Sequence, residues 1–179
     1  LAPGKATTAH RFHRIERALP PEVTARLRAR ADAGLSHIPE DRHRHGLLLD
    51  APLWENRMLG HQTQAPASRR GILTPSDARA DTERIVAEYD VRTPGIHVTV
   101  GSLSGGNQQK LIIGREMSHA PKVLIASHPT RGVDVGAQAA IWDLIREARR
   151  EGLAVLLISL LGSTSCLKFI PAILPCFQG

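Results

Sequence analysis

The residues best suited to chemistry are Leu103-Ser104-Gly105-Gly106-Asn107-Gln108-Gln109-Lys110. Ser104 is a favoured helix N-cap, and Gly105 and Gly106 carry no side chain to keep an anion away. The first N–H groups of a helix have no intrahelical partner and face outward at the positive end of its dipole. The stretch therefore predicts a helix whose front end can hold phosphate. A plain Ser-capped helix after a flexible turn would use the same residues, so the string must be weighed with the rest of the chain.

Two other clusters invite chemistry. His37, His43 and His45 are close enough in sequence for a metal site, but Arg42 and Arg44 alternate with them and would repel a cation. Residues 38–50 are therefore expected to form a solvated basic loop. Pro3-Gly4-Lys5-Ala6-Thr7 resembles part of a phosphate loop. It lacks the earlier glycine, the hydroxyl residue straight after the lysine and the preceding strand that such a loop needs, so no site is assigned there.

Periodicity supplies the elements that must position these residues. Pro20-Pro21-Glu22 predicts a helix start, with Val23, Leu27 and Ala31 at helical spacing and a stop at Gly34. A short helix is expected after Pro52 and a polar loop over 62–71. Thr74-Pro75-Ser76-Asp77 marks a further helix with Ile85, Val86 and Tyr89 on its apolar edge. Ile96–Val100 alternates briefly and is expected to be extended. Lys122–Ala126 and Leu153–Ile158 read as buried strands. Between them Ala137, Ala140, Ile141, Leu144, Ile145 and Ala148 form a helical stripe. Strand, helix, strand with short links is a βαβ unit, so these two strands should be parallel.

The totals narrow the function classes. The 179 residues are 42% hydrophobic, enough for one domain with a core, and only 3% aromatic, so that core must be aliphatic. A net charge of +6 makes an acidic partner worth testing: nucleotide, nucleic acid or anionic membrane. Scarce aromatics and no nucleic-acid motif argue against nucleic acid. No apolar run reaches the ~20 residues that span a bilayer, and the start lacks the apolar stretch of a secretory leader. Cys166 and Cys176, close together near the end, suggest neither a disulfide framework nor a four-ligand zinc site, and a reducing cytoplasm fits.

Leu103–Lys110 resembles the signature motif of ABC transporter ATPases, in the form found in importers of simple sugars and nucleosides. Two more segments resemble the same family in order and spacing. Ile38-Pro39-Glu40-Asp41-Arg42 is similar to the segment carrying the Q-loop, with Glu40 where other members have Gln. Val123–Thr130 is similar to the strand ending in the Walker B motif, followed by a D-loop at Arg131-Gly132-Val133-Asp134. The resemblance covers roughly residues 34–160.

It implies an α/β fold: a partial P-loop NTPase (ABC ATPase) domain with parallel strands and a helical subdomain at about 51–119, its front strands and phosphate loop missing. Residues 1–33 would be a degenerate remnant and 161–179 an aberrant apolar tail, the family pattern stopping near Ser159. Ser104, Gly105, Gly106, Asn107, Gln108 and Asp134 would be cofactor-binding. Glu40 would sense Mg²⁺ or the attacking water. Ser127 and His128 stand where the family usually has Asp and Glu. A serine hydroxyl is a weak Mg²⁺ ligand, while His128 has a side chain able to accept a proton near neutral pH. Asp134 would cross a dimer interface, and the same position suits a helix N-cap.

ATP and Mg²⁺ are the implied cofactors, both requiring a partner ABC ATPase domain, and transmembrane permease subunits are the implied membrane partners. No nucleic-acid partner is expected. The location implied is cytoplasmic, peripheral on the inner face of the plasma membrane. Without a Walker A loop and with an altered Walker B, autonomous ATP hydrolysis is not expected. A non-catalytic interaction fragment or gene remnant is the alternative reading, with a basic nucleic-acid-binding protein further behind.

Overall fold

A computed structural model describes residues 21–62, 64–70, 72–161 and 164–170. Helix α1 (Pro21–Asp32) begins at the predicted prolines. It gives way at Gly34, whose φ of 87° is a left-handed conformation that ends a helix without a Cβ clash. Strand β1 (Leu35–Ile38) follows at once. The chain then leaves the sheet for helix α2 (Leu53–Met58), a hairpin of β2 (Ser68–Arg69) and β3 (Ile72–Leu73), helix α3 (Pro75–Glu88) and helix α4 (Gly105–Met117). It returns as β4 (Val123–Ser127), helix α5 (Val135–Arg150), β5 (Ala154–Leu161) and β6 (Thr164–Ile170).

The sheet order is β1-β4-β5-β6. Ile38 lies opposite Ala126, and Ser127 opposite Ile158, both in parallel pairs. The C-terminal ends of β1, β4 and β5 thus share one edge, where open α/β sheets place their ligand sites. The β4-α5-β5 crossover is the predicted βαβ unit.

Apolar burial fixes that arrangement. Ile38, Leu124, Ala126 and Val155 of the sheet pack in one core with Leu111, Ile112 and Ile113 of α4 and Ile141 and Ile145 of α5. Burying each large side chain contributes about 1.5–3 kcal/mol. A smaller core, Trp54, Met58, Ala67, Ala78 and Ile96, holds the helical insert together. Gly114 lets α3 and α4 touch: a Cβ there would lie 2.6 Å from Ile85 Cγ2.

Several expectations need correction. Ile96–Val100 is not a strand: Pro52 and Thr99 form an isolated bridge, and a 3-10 turn, Val100–Ser102, follows. The alternation arises because Ile96 and Val100 are both buried but in different cores. Residues 62–71 include the β2 strand of the small hairpin rather than only loop. Residues 42–46 form a π-helical turn rather than an irregular loop, with His43, Arg44 and His45 exposed as a solvated segment would have them. Asp41 caps that turn by accepting from the backbone N–H groups of His43 and Arg44, each at 3.1 Å. β5 runs to Leu161, and β6 pairs antiparallel along it from Leu161–Thr164 to Val155–Ile170. The reading at Pro3–Thr7 and the end of the tail beyond Ile170 lie outside the described residues.

Candidate phosphate-binding helix tip

Helix α4 begins where the sequence places it. Ser104 is the N-cap in extended geometry, and its Oγ accepts from the Asn107 backbone N–H at 3.4 Å and from Asn107 Nδ2 at 3.0 Å. Ser104 is exposed and Gly105 half-buried. The N–H groups of Gly105 and Gly106 fall in the first helical turn, which has no intrahelical acceptor for them. Asn107 also ties the tip to the end of α3, since its Oδ1 accepts from the Arg92 backbone N–H at 2.9 Å.

The two glycines have separate steric reasons. A Cβ on Gly105 would stand 2.7 Å from Arg42 Nη2 and 2.8 Å from the Gly132 carbonyl oxygen. A Cβ on Gly106 would stand 2.6 Å from Ala137 Cβ, so this glycine lets α4 and α5 cross closely. Gly106 is accordingly buried, although its place in the first turn is as expected.

Gln108 is turned inward. Its Nε2 donates to the Val100 and Leu103 carbonyls at 3.2 and 3.1 Å. Its Oε1 accepts from Arg42 Nε at 3.2 Å and from His43 Nε2 at 2.8 Å. A primary amide has two donors and two acceptor sites, and all four are engaged. Buried Gln108 shapes the turn before α4 and has no polar group left for a nucleotide.

Asp134 is the N-cap of α5, its Oδ1 accepting from the Ala137 N–H at 2.8 Å. Its Oδ2 would be 3.5 Å from a Cβ on Gly106, which places the carboxylate beside the α4 tip. Ser104, Gly106, Asn107, Arg92, Lys110 and Asp134 are among the residues lining a cavity of about 340 Å³ there. Lys110 is paired with Asp90 at 2.7 Å. A neutral cap and first-turn N–H groups are features that can hold a phosphate oxygen, while the lining sets Arg92 against the carboxylates Asp90 and Asp134, with Lys110 held by Asp90.

The C-terminal sheet edge is a second group. Glu40, just past β1, forms an ion pair with Arg131, in the loop after β4. Ser127 ends β4, and His128 follows at a φ of 47°, a conformation uncommon outside glycine. The His128 backbone N–H donates to the Ile158 carbonyl at 2.8 Å, which pins the turn leaving β4 to β5. Among the described residues no three His, Cys, Asp or Glu side chains are grouped to hold a metal ion. With Ser127 neutral and Glu40 paired to an arginine, this donor set does not suit Mg²⁺, which favours carboxylate and phosphate oxygens.

Sequence reasoning gave Arg42 and Arg131 no role, yet they join the two groups. Nothing in their spacing signals it: their contacts span 66 to 91 positions of sequence.

A scan against protein-family models gave no match. Among curated proteins, the chain is 47% identical over 128 residues to the guanosine import ATP-binding protein NupO of Bacillus subtilis, covering 72% of this chain and 25% of that protein. It is 43% identical over 127 residues to the ribose import ATP-binding protein RbsA 1 of Agrobacterium fabrum (71% and 24%). It is 45% identical over 134 residues to the nucleoside import ATP-binding protein NupA of Lactococcus lactis (75% and 26%). The chain spans about a quarter of the length of these relatives. Its fold matches a dimeric structure of the ATP-binding cassette MJ0796 bound to ADP and Pi, with a TM-score of 0.58 at 18% identity, over 78% of this chain and 56% of that one. By sequence this chain is thus a relative, over part of their length, of sugar and nucleoside import ATP-binding proteins, and its fold is part of the ABC ATPase fold.

Proposed function

We propose that residues 34–160 supply the signature-motif side of a composite ATP site in an importer of a simple sugar or nucleoside. Ser104, Gly105, Gly106 and Asn107 close on the terminal phosphate of an ATP held by a partner ABC ATPase domain. Permease subunits carry the solute, and this chain sits against them at the cytoplasmic face of the membrane. Among the described residues no helix is long and apolar enough to cross a membrane.

The carrying observation is the exposed, neutral Ser104 cap at the glycine-lined start of α4. Phosphoryl transfer depends on positioning and charge neutralisation. Here the tip donates hydrogen bonds and orients the phosphate, while buried Gly106 keeps α5 packed beside it. Mg²⁺, when bound with ATP, would neutralise phosphate charge, and its ligands must come mainly from the nucleotide and the partner. Glu40 contributes by holding Arg131, and His128 is the remaining candidate base at the sheet edge. Residues 34–160 hold neither a phosphate-loop lysine nor a carboxylate in the Walker B position, so this chain alone is not expected to turn over ATP.

The test is titration of a fluorescent ATP analogue with the purified chain, with the phosphate-loop-bearing domain of a ribose or guanosine import ATPase, and with both. The chain alone should stay below half-saturation at about 1 mM, and adding it to the partner domain should tighten binding about tenfold. Micromolar binding by the chain alone, or no effect on the partner, would sink the reading.

A further inference from the structure

We propose that Arg42 is the positioning residue that makes the α4 tip and the 131–134 loop move as one body. This deepens the reading above and rests on it for its functional consequence. One guanidinium makes the bonds that join the tip and the loop. Nε donates to Gln108 Oε1 at 3.2 Å, Nη1 to the Arg131 carbonyl at 2.6 Å and Nη2 to the Gly132 carbonyl at 3.0 Å. These partners lie in two separate segments, and Arg42 itself belongs to a third, the turn after β1.

The geometry requires a planar fork. Two successive carbonyls are met by the two terminal nitrogens while the third donor points away to α4. Lysine offers one nitrogen on a flexible stem and cannot meet all three acceptors. Gly105 completes the fit, because its missing side chain leaves the room that Nη2 occupies, and any Cβ would enter it at 2.7 Å. Gly132, at φ 66°, turns its carbonyl and that of Arg131 toward the same guanidinium. The Glu40–Arg131 ion pair ties the same two segments a second time. Asp134, two residues past Gly132, caps α5, so the position of α5 beside Gly106 is set from the same turn. A turn after β1 that shifts on meeting another protein would carry the tip and the loop with it through Arg42. Its side chain therefore regulates how the Ser104 tip is presented to a partner's phosphate, without touching that phosphate.

Amide hydrogen exchange on the nucleotide-free chain tests the mechanical part. In Arg42→Ala, exchange should rise about tenfold in both 105–108 and 131–134 and stay within about twofold in α3, which Arg42 does not reach. Arg42→Lys should recover one segment at most. Gly105→Ala, which leaves Arg42 in place but crowds its nitrogen, should raise exchange in the same two segments. Unchanged exchange in either segment, a uniform rise across the chain, or full recovery by lysine would overturn the proposal. If Arg42→Ala does not fold, the Lys and Gly105→Ala variants decide it by the same criteria. A second arm adds the partner domain and ATP analogue. Arg42→Ala should remove the tenfold tightening, and Arg42→Lys should restore less than half of it. Failure of the wild-type chain to tighten binding at all sinks the composite-site reading and leaves the exchange result standing.

Discussion

Two helix tips lie side by side at this edge, and they are capped differently. α4 is capped by the hydroxyl of Ser104 and α5 by the carboxylate of Asp134. Both caps accept from a backbone N–H three residues on, at 3.4 and 2.8 Å. A carboxylate cancels the positive end of its own helix, whereas a hydroxyl satisfies a donor and leaves the field in place. The cap of α4 therefore leaves its positive end in place, and the nearest opposing charge is the Asp134 carboxylate of the neighbouring tip. The neighbours differ as well: the α4 tip is enclosed by Arg42, Gly132 and Ala137, while Val135 at the start of α5 is 82% exposed. In the proposed composite site, phosphate affinity would rest on the charge of the cap and on the packing that holds the tip, more than on the presence of a helix end.

The strongest way to break the comparison is to separate the two tips. Gly106→Ala puts a methyl 2.6 Å from Ala137 Cβ, and neither helix can yield without moving its backbone. Overpacking of this kind costs about 1–3 kcal/mol. A lower denaturation midpoint with an unchanged slope is expected, and the tightening of partner-held ATP should be lost. The double variant Gly106→Ala/Ala137→Gly should recover much of the stability; no recovery would show that the close approach is not what Gly106 serves.

How much of this was legible follows from what each contact depends on. The α4 start could be read because a cap and its acceptor lie within one turn: Ser104 and Asn107 are local partners. The βαβ unit could be read because apolar runs and the α5 stripe record burial directly. The partners of Gln108 were not legible, because Val100, Leu103, Arg42 and His43 converge on it only after folding. The contacts of the turn at 42–46 were hidden for a related reason. Its basic residues look hydrated in sequence, yet Arg42 and His43 reach polar atoms of α4 and the 131–132 loop. Ile96–Val100 misled because two neighbouring cores can imitate the alternation of a strand.

Acid sharpens the comparison by loosening a region away from both tips. In the helical insert the His61 and His119 rings stack at 3.9 Å between centroids. Arg57 Nη1 lies 3.3 Å from His119 Nε2, an arrangement that requires that nitrogen to be an unprotonated acceptor. Burial pushes the His119 pKa down from 6.5 to about 4, helped by His61 and Arg57 and opposed by Asp81. Burial also lowers that of His61, against the pull of Glu116 and the bond to Gln64. Between pH 6.5 and about 4 the unfolded chain therefore binds more protons than the folded one. Stability is at its full value above 6.5 and falls as the pH drops through that window. Allowing for partial solvent screening, the His119 contribution is about 1–2 kcal/mol. His119→Gln should flatten that acid slope, and the first amides to exchange as pH falls should lie in 53–61 and 117–119. Earlier exchange at 104–108 would mean that the tip, not the insert, is the weaker region.

Smaller effects come from altering the caps themselves, and the two substitutions carry opposite signs. Ser104→Asp gives α4 the cap that α5 has. Stability should change by less than about 0.5 kcal/mol, since serine and aspartate cap comparably. ATP tightening with the partner domain should weaken about tenfold, because a carboxylate then occupies the place of the phosphate. Asp134→Asn removes the charge from α5 and keeps the cap. It should cost a few tenths of a kcal/mol and tighten the same ATP binding about two- to threefold, as one anion leaves the neighbourhood of Gly106. A loss of binding in Asp134→Asn, at unchanged stability, would mean that this carboxylate acts across the interface on the partner. Asp134 would then belong with Ser104 in the composite site, and the two tips would cooperate on one ligand.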